Sequence, residues 1–308
     1  MNIATDHPRI LLIGKQGQVG WELIRALAPH ARVVAADLPE LDLRSPALIQ
    51  KRVNDLRPHF IVNAAAYTDV EKAEDEPELA MAINGTAPGL LAEAAKAIHA
   101  TLIHYSTDYV FAGAVPQNVA GYSESDKTGP INVYGESKLA GERAIEAVAP
   151  DYFILRTSWV YGLRGKNFLL SILRAAQTRE SLKVVNDQIG TPTWCRMLAE
   201  MTTGLILKCQ DPAFVKHASG LYHLTGRGHT SWHGFAQAIV KAGQAAHDFK
   251  VKAILPVPTA AYPAKAVRPA CSLLDCGKFE KTFGIRLPHW EASLKEAMSG
   301  FSADVLSA

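Results

Sequence analysis

The sequence has no paired cysteines, no excess of either charge and no long hydrophobic run, and each absence removes a class of protein. Its four cysteines, Cys195, Cys209, Cys271 and Cys276, form no CxxC pair, and their spacing matches neither a zinc site nor a disulfide framework. They read as isolated, mostly buried thiols of a reducing compartment. The 32 basic and 30 acidic residues leave a formal net charge of +2. They are spread along the chain without a basic stripe, which argues against a nucleic-acid partner. The apolar run Ile10 to Ile13 is too short for the core of a signal peptide, and nothing later is long enough to span a membrane. A cytoplasmic location with no membrane partner is the expectation.

What remains is apolar material for one large domain, or a large domain with a smaller companion: 308 residues, 48% hydrophobic and 20% charged. Arg9 to Ile13 is a short apolar strand followed at once by Gly14-Lys-Gln-Gly17-Gln-Val-Gly20 and then by apolar residues at helical spacing. Arg32 to Asp37 reads as a second strand, Ser45 to Leu56 as a helix capped by Ser45 with Pro46 at its first position, and His59 to Asn63 as a third strand. An alanine-rich helix over 80–99, broken near Gly85 or Pro88, precedes a fourth strand, Thr101 to Tyr105. A glycine- and proline-rich loop from Gly113 to Pro130 follows, then a helix containing Tyr134 and Lys138, and a fifth strand at Tyr152 to Arg156. Apolar strands alternating with helices predict an α/β fold with a doubly wound parallel sheet of Rossmann type. Beyond Trp159 the alternation stops. Helices are predicted over Phe168–Thr178, Thr193–Leu207 and Ser231–Ala245, a strand over Gly220–Leu224 and a proline-punctuated loop over Pro256–Pro269. Residues 1–160 are expected to form a dinucleotide-binding domain and 161–308 mainly a smaller α+β substrate domain, while part of 180–250 could fold back onto the first.

Gly14, Gly17 and Gly20 fit GxxGxxG, in which a tight turn lets the backbone approach a pyrophosphate at a helix N-terminus. Alone the triplet is weak evidence. It gains weight from the strand before it, the helix after it and Asp37 at the end of the second strand, where an acid accepts hydrogen bonds from an adenosine ribose. Gln18 and Val19 lie inside the turn and share the assignment. Asp42 and Leu43 are expected to border the adenine. Ala64, Ala65, Ala66, Tyr67 and Thr68 follow the third strand and Tyr105 closes the fourth; all are expected along the cofactor. Asp37 favours a free 2′-hydroxyl, whereas Arg32 and Arg44 lie near in sequence and could offset it. Both NADH and NADPH are therefore expected.

Tyr134 and Lys138 are four residues apart on one helix face. A tyrosine donates a proton usefully near neutral pH only if its pKa falls well below about 10, which a nearby ammonium promotes. Carbonyl reduction also needs a hydrogen-bond donor at a strand end, and Thr107, next to Ser106, supplies one. Two ordinary surface residues would show the same spacing, so YxxxK decides nothing without the glycine turn.

Taken together GxxGxxG, the NAAA at Asn63, the STDYVF at Ser106 and the YGESKLAGE at Tyr134 resemble the extended short-chain dehydrogenase/reductases, whose sites use a Ser/Thr, Tyr and Lys group. Within that superfamily Asn186-Asp-Gln-Ile-Gly-Thr-Pro-Thr, Arg156-Thr-Ser-Trp-Val-Tyr and Gly220-Leu-Tyr-His-Leu are similar to reductases of a dTDP-linked 4-keto sugar. The likeness runs from about residue 9 to residue 290. It implies hydride transfer from NADPH or NADH to a C4 ketone in nucleotide-sugar biosynthesis. By that pattern Thr107 and Asp108 contact the sugar, Tyr134 is the proton donor, Lys138 lowers its pKa and holds the ribose, Trp159 packs on the sugar and Arg268 meets the diphosphate. Related dehydratases follow the Thr-Asp pair with a glutamate, where this chain has Tyr109; an epimerase or dehydratase, or a non-catalytic regulatory subunit of the same fold, is the alternative. The segment Val267-Arg-Pro-Ala-Cys271-Ser-Leu-Leu departs from the family's Arg-Arg-Pro and asparagine, which puts the Arg268 contact in doubt. Some members bind magnesium at a dimer interface; magnesium and a homodimer are thus implied as options, but no metal residue can be assigned. His229 and His233 have the spacing of metal ligands without a third partner, and read as a helix N-terminal surface pair.

Overall fold

In the computed structural model residues 7–114, 121–148, 151–302 and 305 are described. The first six residues, and 115–120 within the predicted loop Gly113 to Pro130, lie outside the described residues. The chain opens with β1 (Arg9–Ile13), α1 (Gln18–Leu27), β2 (Arg32–Ala36), α2 (Pro46–Leu56) and β3 (Phe60–Asn63). It continues through α3 (Val70–Ala73), α4 (Pro77–Met81), a π-helical turn (Ala82–Thr86), α5 (Ala87–Ala97), β4 (Thr101–Thr107), α6 (Val133–Val148) and β5 (Tyr152–Thr157). Then come β6 (Val160–Tyr161), α7 (Phe168–Thr178), β7 (Ser181–Val185), β8 (Ile189–Gly190), β9 (Thr193–Trp194), α8 (Cys195–Lys208) and α9 (Pro212–Ala218). The rest is β10 (Gly220–His223), β11 (Thr230–Ser231), α10 (Trp232–Gly243), β12 (Ala253–Val257), α11 (Gly277–Phe283) and α12 (Trp290–Ser299).

Six strands form one sheet in the order β10-β5-β4-β3-β1-β2. β1 runs parallel to β2 and β3, and β3 parallel to β4, with Asn63 opposite His104 in register. The order doubles back at β1, because the chain moves one way through β2 and the other way through β3, β4 and β5. That reversal is the topological switch point of a doubly wound α/β fold. Every residue of β3 and β4 is buried, as expected of central strands covered on both faces. The chain divides into two compact units. One comprises the chain up to Thr107, Val133–Arg156 and Ala199–Tyr222; the other comprises Asp108–Asn132, Thr157–Leu198 and the chain from His223.

In the first unit Leu11, Ile13, Ile49, Val53, Ile61, Leu91, Leu102, Ile145 and Ile154 belong to one buried cluster. Such a core follows from helices that turn an apolar stripe onto a continuous apolar sheet. α2 begins as its sequence requires: the Ser45 hydroxyl accepts from the Leu48 N–H, and Pro46 occupies the first turn. In the second unit the core is aromatic. Trp159 stacks on Trp232 with centroids 3.6 Å apart, and Phe168, Phe235, Tyr161 and Trp290 continue the cluster.

Several local readings change. The alanine-rich helix is not broken at Gly85 but passes through a π turn there, which shifts the register and keeps the backbone hydrogen-bonded. The predicted helix start at Thr193 is a two-residue strand, and α8 begins at Cys195. β7 and β12 form a parallel pair where a loop was expected around Pro256; Ala253–Val257 has three residues exposed, the other two half-buried and one proline in the strand, a weak signal on an edge. β10, within the stretch 180–250 that could fold back, is a strand of the large sheet.

Candidate active site

The turn between β1 and α1 is as tight as its glycines suggest. Gly14 has a φ of +96°, and the Gly17 N–H bonds the Gly14 carbonyl at 3.1 Å. A Cβ at Gly20 would lie 2.0 Å from the Gly14 oxygen, so no larger residue fits the first turn of α1 without opening the loop. Asp37 lies just beyond β2, and its Oδ2 accepts from the Gln16 N–H at 2.9 Å. The acid expected at the ribose therefore also fixes the turn.

Neither arginine proposed to offset Asp37 does so in the free chain. Arg32 begins β2, five residues before Asp37, which is about 16 Å along an extended strand. Arg44 forks onto Asp42 through Nε at 2.9 Å and Nη2 at 2.6 Å, and this pair holds the Asp42 carboxyl below its ordinary range.

After β3, Ala64 to Thr68 runs past the strand end. Tyr67 is clasped by Asn84, whose Oδ1 accepts from the Tyr67 N–H at 2.8 Å while its Nδ2 donates to the Tyr67 carbonyl at 2.9 Å. The same Nδ2 lies 3.0 Å from the Ser137 hydroxyl on α6. Asn84 sits in the π turn, which explains how one buried amide reaches both segments. The Tyr67 hydroxyl donates to Glu76 at 2.7 Å, and this carboxylate pushes the phenol up to about 12.

α6 carries Tyr134 and Lys138. The helix entrance is fixed by Glu74, which accepts from the Val133 N–H at 2.9 Å, and Ser137 donates to the Tyr134 carbonyl at 2.8 Å. Tyr134 is half-buried, but Lys138 is 1% exposed. Its Nζ lies 2.7 Å from the Tyr105 carbonyl and 3.1 Å from His104 Nε2. Burial lowers its pKa to about 8, opposed by Glu142 one turn on. β4 supplies Thr107, buried at the strand end, and Tyr105, whose own hydroxyl is taken up with Thr202 at 2.6 Å. Tyr105 therefore meets the α6 lysine through its backbone.

Beneath this group lies a charged pair that sequence reading overlooked. Arg156 on β5 forks onto Glu142 through Nε at 2.9 Å and Nη2 at 2.6 Å, and Ser106 donates to the same carboxylate. Their sidechains are 4% and 2% exposed. His104 and Asn63 are the other overlooked residues. Both are polar at positions that strand alternation or burial would fill with apolar side chains, and that mismatch was the available signal.

Of the expected substrate residues, Asp108 opens a short 3-10 turn after β4 and is 2% exposed. Trp159 has a φ of +44° and gives one face to Trp232. Arg268 is half-buried in the departing segment, where the Val267 carbonyl accepts from Asn132 at 2.8 Å and the Cys271 N–H donates to Gly113 at 3.1 Å. Cys271 is 3% exposed. All four cysteines are buried and free. Among the described residues, no three His, Cys, Asp or Glu side chains gather as a metal ion would require. His233 contacts the Ile254 carbonyl at 3.0 Å. No helix among the described residues is long and apolar enough to cross a membrane.

A glycine turn on the first strand of a doubly wound sheet, with Tyr and Lys one turn apart beside the fourth, defines the extended short-chain dehydrogenase/reductase class. The family model described as RmlD substrate binding domain matches residues 8–302. A dTDP-4-dehydrorhamnose reductase of Burkholderia thailandensis is 46% identical over 92% of this chain and 95% of its own length. The Salmonella typhimurium dTDP-4-dehydrorhamnose reductase is 43% identical over 94% and 97%. A crystal structure of dTDP-4-dehydrorhamnose reductase from Bacillus anthracis in complex with NADP superposes with a TM-score of 0.87 at 35% identity, covering 96% of this chain and all of that one. The chain belongs to the RmlD family of dTDP-4-dehydrorhamnose reductases. A UDP-glucose 4-epimerase from Thermotoga maritima, at 17% identity and a TM-score of 0.74, shares the fold alone.

Proposed function

We propose that this chain reduces the C4 ketone of dTDP-4-dehydro-L-rhamnose to dTDP-L-rhamnose with NADPH or NADH, in the cytoplasm. The observation that supports it most is the buried approach of Lys138 to the end of β4, on the helix that carries Tyr134, in a chain whose glycine turn is too tight for any side chain. Gly14, Gly17, Gln18, Val19, Gly20 and Asp37 form a turn whose closeness suits a dinucleotide pyrophosphate. The reduced nicotinamide, when bound, supplies the hydride.

The chain's own residues do the rest. Thr107 donates a hydrogen bond to the ketone oxygen and orients it. Tyr134 gives its phenolic proton to the oxygen as negative charge develops there. Lys138 stabilises the resulting tyrosinate and holds the ribose. Ala64 to Thr68, kept in place by Asn84, borders the cofactor with Tyr105, while Asp42 and Leu43 border the adenine. Asp108, Trp159 and Arg268 bind the nucleotide sugar. Both coenzymes are accepted in this reading: Asp37 favours a free 2′-hydroxyl, and Arg44, paired with Asp42 in the free chain, is the cation near it in sequence. A pair of chains is the assembly this reading includes, and sedimentation tests it.

The decisive measurement is nicotinamide absorbance during incubation with dTDP-4-dehydro-L-rhamnose. Oxidation of the coenzyme with formation of dTDP-L-rhamnose is expected. No oxidation by pure protein, with or without magnesium, would overturn the reading.

A further inference from the structure

Hydrogen-bond arithmetic along Asn63, His104 and Lys138 bears on the charge of the lysine. Three buried side chains form a row: Asn63 Nδ2 lies 3.1 Å from His104 Nδ1, and His104 Nε2 lies 3.1 Å from Lys138 Nζ. The amide is oriented by its other end, since the Ala65 N–H donates to Asn63 Oδ1 at 3.2 Å. An amide NH2 only donates, so His104 Nδ1 accepts and the single proton of a neutral imidazole lies on Nε2. Burial and Lys138 hold His104 well below its ordinary range, so the ring is neutral. Nε2–H then points at Lys138 Nζ. An ammonium has three donors and no lone pair; a neutral amine accepts this bond and still donates to the Tyr105 carbonyl.

The alternatives each lose a bond. With Lys138 charged and the ring reversed, Nδ1–H faces the Asn63 NH2. Flipping the amide cures that contact and turns the NH2 onto the Ala65 N–H. One donor-to-donor clash remains somewhere in the row whenever the lysine carries its proton, and an unmet buried donor is costly. We propose that His104 is a positioning residue which, through the Nε2 to Nζ contact and with its tautomer set by Asn63, disfavours the charged form of Lys138. The other groups around Nζ act separately. Glu142 on α6 favours the charge, Arg156 on β5 is paired with Glu142 and offsets it, and Tyr134 lies one turn back on the same helix. The inference rests on the reductase reading for its consequence: the Lys138 charge that stabilises the Tyr134 tyrosinate is opposed in the free chain by a histidine the reaction itself does not use.

The test reads Lys138 directly in the free protein, by the pH titration of its 13Cε resonance in lysine-labelled chain, assigned with Lys138→Met. In the unsubstituted protein it is expected to titrate well below the exposed lysines, which sit near ~10.4. His104→Gln offers a carbonyl oxygen to the ammonium and should raise the midpoint by about one pH unit or more. Asn63→Asp is nearly isosteric, still accepts from Ala65, and accepts from Nδ1–H, which turns Nε2 into an acceptor. It should raise the midpoint similarly, but by much less in the His104→Gln background, where only its charge acts. Lys138 titrating with the exposed lysines in the unsubstituted protein overturns the proposal. So does a midpoint that stays within about 0.3 units in both variants, or equal Asn63→Asp shifts in the two backgrounds. Chain that shows these shifts but reduces no sugar refutes the reductase reading and leaves the role of His104 standing.

Discussion

Glu142→Ala should be the most damaging single substitution among the polar residues of the first unit. Glu142 takes two charge-assisted bonds from Arg156, at 2.9 and 2.6 Å, and one from the Ser106 hydroxyl, with the paired side chains 4% and 2% exposed. Alanine leaves a guanidinium buried without its counter-charge. Removing one partner of such a pair typically costs about 3–5 kcal/mol. At roughly 2–4 °C per kcal/mol for chains of this order of size, the melting temperature should fall by roughly 10 °C. Unfolding in urea, followed by tryptophan fluorescence, measures the loss. The partner variant Arg156→Met in the Glu142→Leu background should recover most of it, since an apolar pair removes both desolvated charges together. A loss below about 1 kcal/mol for Glu142→Ala would refute the argument, because it would mean that Arg156 is satisfied without the carboxylate.

Tyr134→Phe should keep coenzyme affinity and lose about 10²–10⁴-fold in kcat, since only the proton donor goes; near-normal turnover removes Tyr134 from that role. Gly20→Ala should abolish tight coenzyme binding while leaving β1 and the sheet folded, because its Cβ would meet the Gly14 carbonyl at 2.0 Å; circular dichroism and coenzyme fluorescence separate the two effects. Stability should also depend on pH in a direction set by Lys138. Its folded value, lowered to about 8 by burial, is below the unfolded value of about 10.4, so between these the unfolded chain binds more protons and stability rises with pH. Lys138→Met should flatten the urea midpoint over that window, and an unchanged slope would contradict the assigned burial. His104 acts likewise at lower pH: held neutral in the fold, it makes stability fall as pH drops below its unfolded value near ~6.5, where only the unfolded chain is protonated.

The elements with strong local signals were legible before any coordinates. Arg9–Ile13 with its glycine turn, Pro46–Leu56 with its serine cap, and Phe168–Thr178 are encoded within a few residues by apolar runs, caps and backbone freedom. The pairing of β7 with β12 was not, because an exposed strand bearing a proline has its hydrogen bonds completed by a partner about seventy residues away. The π turn was equally hidden, since Gly85 marks a break or a register shift with the same residue.

The site divides along the same line. Sequence alone pointed to Gly14, Gly17, Gly20, Tyr134 and Lys138 as a candidate group, because glycines at a strand-to-helix turn and two side chains one helical turn apart are local facts of spacing. Only the tertiary structure decided what surrounds them. It committed Arg44 to Asp42, set Asn84 between Tyr67 and Ser137, and brought Asn63, His104 and Glu142 to a buried lysine from β3, β4 and α6. Burial and partnership belong to residues distant in the chain, and the charge of Lys138 depends on both.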